Sequence, residues 1–242
     1  MMKYAPYSFS KMHTFFSCQK KFEFTYVNKI PIDDGFSDPI YFKRGRFLHS
    51  YIADRLSGGD GMNLKGSISV EDKLELIDYA DIVLEHEYIS MTYEFDKNHI
   101  EQYISLDINL AVNTKKLNNC FSGYIDYYAI HDDFAMIVDW KTGKYKENPS
   151  FEQLELYAIW LFQKHPEVTE IDLVFFYAEH NKFIMKTITP DIVESIKLDI
   201  MKKITIIEST LEFNISESKQ CLHCPFCNTC MDEFGILGLN NF

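Results

Sequence analysis

The sequence predicts an α/β (α+β) fold, with a central mixed β-sheet flanked by helices. Three observations lead there. Residues 8–89 and 190–213 space their apolar side chains at helical intervals, whereas the runs between residues 99 and 189 mostly alternate or form short apolar strands broken by turn signals. No repeat, low-complexity tract or linker divides the chain. At 242 residues, with 46% hydrophobic and 15% aromatic content, it is long and apolar enough to bury a core.

Taken in order, SFSKMHTFFSCQKKFEFTYV (8–27) reads as a helix capped by Ser8 or Ser10. PIDDGFSDP (31–39) is a loop. Residues 42–56 form a second helix that ends at SGGDG, and residues 69–89 a third with Ser69 as its cap. HIEQYISLDINLAV (99–112) alternates as a strand does. Residues 120–131 and 134–142 form a hairpin around Asp132-Asp133, and 150–165 a helix capped by Ser150. Residues 170–180 and 182–189 form a second hairpin, and Pro190 opens a long helix over 190–213.

No apolar run is long enough to span a bilayer, and the N-terminus has neither an apolar core nor a cleavage site of a leader. A cytoplasmic protein without a membrane partner is expected. The net charge of −12 argues against a generic nucleic-acid coat. The acidity is concentrated, however. Residues 51–110 hold 13 Asp/Glu against 4 Lys/Arg, while residues 1–50 hold 8 Lys/Arg against 4 Asp/Glu. A phosphate-binding face on an acidic body is compatible with this asymmetry.

IVDWKTGK places Asp139 and Lys141 two apart on a strand, so both project from one side. Taken alone, such a pair is equally a surface ion pair. Asp126 lies on the preceding strand of the hairpin, where it can meet Asp139. Two adjacent carboxylates repel unless a cation lies between them, and oxygen ligands suit Mg²⁺ or Mn²⁺. Gly45 and His49 share a helix face, as do Gln153 and Tyr157. Gly45 costs helix stability and is expected to serve close packing.

CLHCPFCNTC (221–230) concentrates four cysteines in ten residues. In a reducing compartment such clustering points to metal or redox chemistry. Two registers are open. Cys221, Cys224, Cys227 and Cys230 can form a local knuckle, or Cys221, Cys224 and Cys230 can join Cys18 and leave Cys227 spare. Thiolates suit zinc or an iron–sulfur cluster, and ligand type does not separate them. Cys120 precedes a strand and reads as an apolar filler.

Cys18, Gly45-x-x-x-His49, Gly123-x-x-Asp126, Asp139-Trp-Lys-Thr-Gly143, Gln153-x-x-x-Tyr157 and the C-x2-C-x5-C of Cys221, Cys224 and Cys230 stand in one series. That series resembles the RecB-like branch of the PD-(D/E)XK nucleases. Within it, the chain is most similar to the iron–sulfur members: CRISPR-adaptation nucleases, their phage relatives and the nuclease domain of AddB-type helicase–nucleases. The resemblance runs from about residue 8 to 230.

It implies a restriction-endonuclease-like core in a single domain over 1–242. Residues 95–190 would form the catalytic sheet, and 1–60 with 205–242 a helical part whose segments are joined by a cysteine-ligated cluster. His49, Asp126, Asp139 and the Trp140 carbonyl would bind Mg²⁺ or Mn²⁺. Lys141 would position or activate the attacking water, and Gln153 and Tyr157 would support the DNA strand and the site. Glu101, with Glu94 in reserve, is the candidate for an upstream acid. Cys18, Cys221, Cys224 and Cys230 would hold a [4Fe–4S] cluster, with zinc as the alternative. Gln19 departs from the family, where proline is frequent. The implied function is a metal-dependent DNA exonuclease acting on single strands or DNA ends in recombination, replication or CRISPR adaptation. The alternatives are a nuclease-fold docking module that works through a protein partner, and a zinc-stabilised nucleic-acid binder.

Overall fold

The computed structural model describes residues 2–33, 36–61, 64, 68–95, 97–114 and 119–235. In chain order the helices and strands are α1 (Phe9–Ser17), α2 (Gln19–Phe22), α3 (Ile40–Leu56), α4 (Val70–Glu85), α5 (Glu87–Ser90), β1 (Lys97–Leu106), β2 (Phe121–His131), β3 (Phe134–Lys141), α6 (Glu152–Lys164), β4 (Glu170–Tyr177), β5 (Lys182–Ile188), α7 (Val193–Ser209) and α8 (Cys227–Phe234). The chain divides into two compact units, one of residues 1–39 with 200–242 and the other of residues 40–199. Among the described residues, no helix is long and apolar enough to cross a membrane.

The unit of residues 40–199 is an α/β fold built on a five-stranded mixed sheet. Its strands run in the order β1-β2-β3-β4-β5, and only β3 and β4 are parallel. Antiparallel neighbours need only short turns. The parallel pair needs a crossover, and α6 supplies it. The pleat then sorts side chains between two layers. Tyr127 and Ala129 of β2, Met136, Val138 and Trp140 of β3, and Val174 and Phe176 of β4 join Leu48 and Ile52 of α3 and Leu76, Ala80 and Val83 of α4 in one buried cluster. On alternate positions, Tyr128 meets Trp160 of α6 edge-on at 6.0 Å. β3 is buried along nearly its whole length because both faces are covered. Arg44 binds α3 to its neighbours through carboxylates of Asp72, Glu75 and Glu179.

In the other unit an aromatic core joins the two chain ends. Phe22 packs on Tyr4 (5.6 Å), Phe15 (5.3 Å) and Phe213 (6.0 Å). Glu208 of α7 accepts hydrogen bonds from the Tyr7 hydroxyl at 2.6 Å and from the backbone of Lys3 and Tyr4. Gln19 and Lys20 pair with the backbone of Asn214. Asp33 caps α8 from a distance: its carboxylate accepts from the Asn228 and Thr229 amides and, at 2.6 Å, from the Thr229 hydroxyl.

Several expected elements change at their ends. The helix expected over 8–27 breaks at Cys18, which is extended (φ −159°, ψ 110°), and it finishes as a π turn over Glu23–Val27. The helix over 69–89 breaks at His86, whose ring accepts from the Tyr88 amide. The strand over 99–112 stops at Leu106, where the Asp107 carboxylate closes a turn on the amides of Asn109 and Ala111. Phe151, not Ser150, is the N-cap residue of α6, although the Ser150 hydroxyl still accepts from the Glu152 amide at 3.4 Å. α7 stops at Ser209 rather than 213, and a 3₁₀ turn over Pro190–Ile192 leads into it. Positions 34 and 35 of the expected loop lie outside the described residues.

Asp33→Ala removes the borrowed cap of α8. It is expected to cost about 1 kcal/mol of unfolding free energy, read as a lower urea midpoint at unchanged slope.

Candidate metal and catalytic site

β2 and β3 stay in hydrogen-bonded register from His131–Phe134 to Tyr127–Val138. The next pair is Asp126 and Asp139, and there the ladder opens. The Trp140 amide donates to Asp126 Oδ2 at 3.0 Å instead of to a strand carbonyl. His49 closes the arrangement. Its Nδ1 lies 3.3 Å from Asp126 Oδ2, and its Nε2 is 2.8 Å from the Trp140 carbonyl. The imidazole reaches this position because α3 lies close to the end of β3. A Cβ on Gly45 would stand 3.2 Å from the Thr142 hydroxyl.

Glu101 supplies the third acidic group from β1. The β1–β2 register places it opposite Asp126, yet it is missing from the ladder on either side of it. Its φ of +50° is left-handed, which is costly for a residue with a Cβ, by about 1–2 kcal/mol. Ligand atoms of His49, Glu101 and Asp126 all lie within 4.8 Å of one another. Asp139 stands beside this group rather than in it. Its carboxylate is buried, and Lys141 Nζ lies 2.6 Å from Oδ2. Lys141 is the charged partner of Oδ2, and no other donor reaches that oxygen among the described residues. Lys141 Nζ also sits 4.8 Å above the Phe175 ring.

The electrostatics follow from this crowding. Burial and the charge of Asp126 push the Asp139 carboxyl up to about 6, against the pull of Lys141. Burial and Asp126 also raise the Glu101 carboxyl. At His49, burial opposes charging but loses to Asp126, Asp139 and the Trp140 carbonyl, so the imidazole rises to about 9. Two carboxylates and an imidazole whose ligand atoms lie this close, with the buried Asp139 carboxylate beside them, fit a divalent cation. His49, Glu101 and Asp126 are the residues placed to hold one.

Of the other expected residues, Gln153 and Tyr157 do meet. Gln153 Nε2 donates to the Tyr157 hydroxyl at 3.2 Å. Tyr157 lies against Gly123, where a Cβ would come within 3.0 Å of its ring. Glu94 lies in the 3₁₀ turn Met91–Glu94 and is not in the metal-binding group. Phe175 was not foreseen. It sits in the apolar run of β4, and only the parallel register with β3 reveals it as the neighbour of Asp139.

The cysteines form a separate locus. Cys18, Cys221, Cys224, Cys227 and Cys230 line one cavity of about 30 Å³ together with Lys21 and Phe226. None of the five is in a disulfide. Burial, then mutual repulsion, raises Cys224 and Cys230, the latter to about 12. Burial likewise raises Cys227, with Cys221 and Asp33 adding to it. Crowded thiols of this kind fit a soft cation, which would relieve the repulsion between thiolates.

The His49 geometry makes a pH prediction for the metal-free protein. The folded pKa, about 9, lies above the ordinary 6.5. The stabilisation it gives is therefore fully present below pH 6.5 and is lost as pH rises through 9. In EDTA, the urea midpoint of the native protein should fall across that window, and that of His49→Gln should fall less.

Residues 6–231 match the sequence signature described as the PD-(D/E)XK nuclease superfamily. No curated protein matches the chain significantly in sequence. Among solved structures, it is similar in fold to a "putative exonuclease" from Eubacterium rectale, with a TM-score of 0.54 and 11% identity over 95% of this chain and 93% of that one. A weaker likeness is to the protein SSO0001, with a TM-score of 0.37 and 12% identity over 76% of this chain and 95% of that one. With the signature running through nearly the whole sequence, the chain belongs to the PD-(D/E)XK nuclease superfamily.

Proposed function

We propose that the protein is a divalent-metal-dependent DNA exonuclease that hydrolyses phosphodiester bonds in single strands or at DNA ends. The observation that carries this reading is the convergence of His49, Glu101 and Asp126 within 4.8 Å beside the Asp139–Lys141 ion pair. Membership of a nuclease superfamily implies a nucleic-acid substrate. The exonuclease form of the proposal also draws on the description carried by the Eubacterium rectale fold neighbour. A role in recombination, replication or CRISPR adaptation, alongside a protein partner, belongs to the same reading.

His49, Glu101 and Asp126 would hold Mg²⁺ or Mn²⁺, with Asp139 and the Trp140 carbonyl as further oxygen donors. The ion would polarise the phosphate and make a water nucleophilic at neutral pH. Lys141 is steered by Asp139 and by the Phe175 ring, and its partly exposed ammonium offsets charge on the phosphoryl oxygens. His49 must give up its proton to become a ligand, so the site fills less readily as pH falls. Gln153 fixes the Tyr157 hydroxyl, and that pair bears on the strand being cut. In the cysteine cavity we read a seat for a [4Fe–4S] cluster, with zinc as the alternative, of the iron–sulfur branch of these nucleases. Its role would be structural.

The test uses protein purified without oxygen and end-labelled single- and double-stranded DNA, with Mn²⁺, Mg²⁺ or EDTA. Cleavage should require the metal. Asp139→Ala and Lys141→Ala should each lower the rate by roughly 10²-fold or more while circular dichroism stays native. No cleavage by metal-replete wild type on either substrate would overturn the proposal.

A further inference from the structure

The cysteine cavity holds one thiol more than a four-thiolate centre needs. Cys18 enters from the break between α1 and α2, and Cys221 and Cys224 from the 3₁₀ turn Lys219–His223 and its end. Cys227 and Cys230 are three residues apart in α8, and both reach the cavity. Cys221, Cys224 and Cys230 therefore belong to two complete sets, one finished by Cys18 and the other by Cys227.

We propose that Cys18 and Cys227 are interchangeable fourth ligands of a single soft-metal centre, held either across the two chain ends or wholly within the C-terminal segment. This rests on the cavity being a seat for iron–sulfur or zinc. The exchange balances. Cys227 loses its thiol proton as its sulfur binds, Cys18 takes one up as its sulfur leaves, and four thiolates remain on the metal throughout.

Two features make the exchange feasible. Cys18 is an extended residue between two helices and makes no side-chain capping bond, so turning its thiol away breaks no helix. The chain ends also meet without it, through Gln19 and Lys20 on Asn214, Asp33 on α8, and Glu208 on Tyr7.

The experiment is anaerobic reconstitution with Fe²⁺ and sulfide, or with Zn²⁺ alone. Metal per chain is measured, and brief iodoacetamide alkylation is followed by peptide mapping. Cys18→Ser and Cys227→Ser should each keep the full wild-type metal content. The double variant should lose it, as should Cys224→Ser, which strikes both sets. In loaded wild type, alkylation should divide between Cys18 and Cys227. Labelling of Cys227 alone, or an empty Cys18→Ser that remains folded by circular dichroism, would overturn exchange in favour of a fixed split set. Labelling of Cys18 alone would overturn it in favour of a fixed local knuckle. Wild type that takes up neither metal would sink the reading of the cavity itself, and exchange with it.

Discussion

The opening of the β2–β3 ladder at Asp126 is the constraint on which the candidate site depends. Up to Tyr127–Val138 the two strands are joined by their own backbones. One residue later, a carboxylate oxygen takes the Trp140 amide that the ladder would otherwise have used. This substitution leaves the Trp140 carbonyl free to face His49, and His49 in turn returns to Asp126. The ring of contacts fixes where α3 must run, and the absence of a Cβ at Gly45 lets it run there. β1 is affected as well, because Glu101, opposite Asp126, leaves the ladder at the same level and turns left-handed.

The charge balance of this arrangement shows what it lacks. Glu101, Asp126 and Asp139 bring three carboxylates into one partly buried space, and Lys141 and a protonated His49 bring two cations. The raised carboxyls of Asp139 and Glu101 are the signature of that deficit, since repulsion and burial both favour the neutral acid. A divalent cation that displaces the His49 proton would bring the balance to zero. The left-handed backbone at Glu101 acts against folding in the metal-free chain. That strain is what holding a ligand ready for the proposed ion would cost.

Much of this was legible in the sequence, because spacing along a single element fixes which side chains share a face. Asp139 meets Lys141 and Gln153 meets Tyr157 as a period of two or of about four requires. The two-residue Asp132-Asp133 turn also fixed the hairpin register that sets Asp126 opposite Asp139. What was hidden depended on relations between elements, or on a single torsion. Glu101 could be named only as a candidate, since nothing local requires its backbone to turn left-handed. Phe175 became visible only through the parallel pairing of β3 with β4. The helix breaks at Cys18 and His86 were hidden for another reason. Both lie in runs of good helical periodicity, and the periodicity continues while one residue departs to an extended ψ. At His86 the ring accepts the amide that the interrupted helix leaves open. At Cys18 the departure places a thiol at the cysteine cavity.

The two metal-binding chemistries proposed for this chain need not compete, because their donors differ in hardness and in the state in which they wait. The site on the sheet offers carboxylate and carbonyl oxygens, which suit Mg²⁺ or Mn²⁺ and hold iron–sulfur clusters poorly. Three of the thiols are held protonated: burial and neighbouring charge keep Cys224, Cys227 and Cys230 above the ordinary thiol range. A hard cation cannot recover the energy of removing those protons, whereas a soft one can, since it forms strong bonds to sulfur and relieves the repulsion together. The same logic explains why the aromatic and hydrogen-bonded seam between the chain ends matters. Phe22 with Phe213, Phe24 with Phe226, and Asp33 with α8 bring the thiol-bearing segments together. A soft-metal centre bound there, as proposed, would add the strength of its own bonds to that seam.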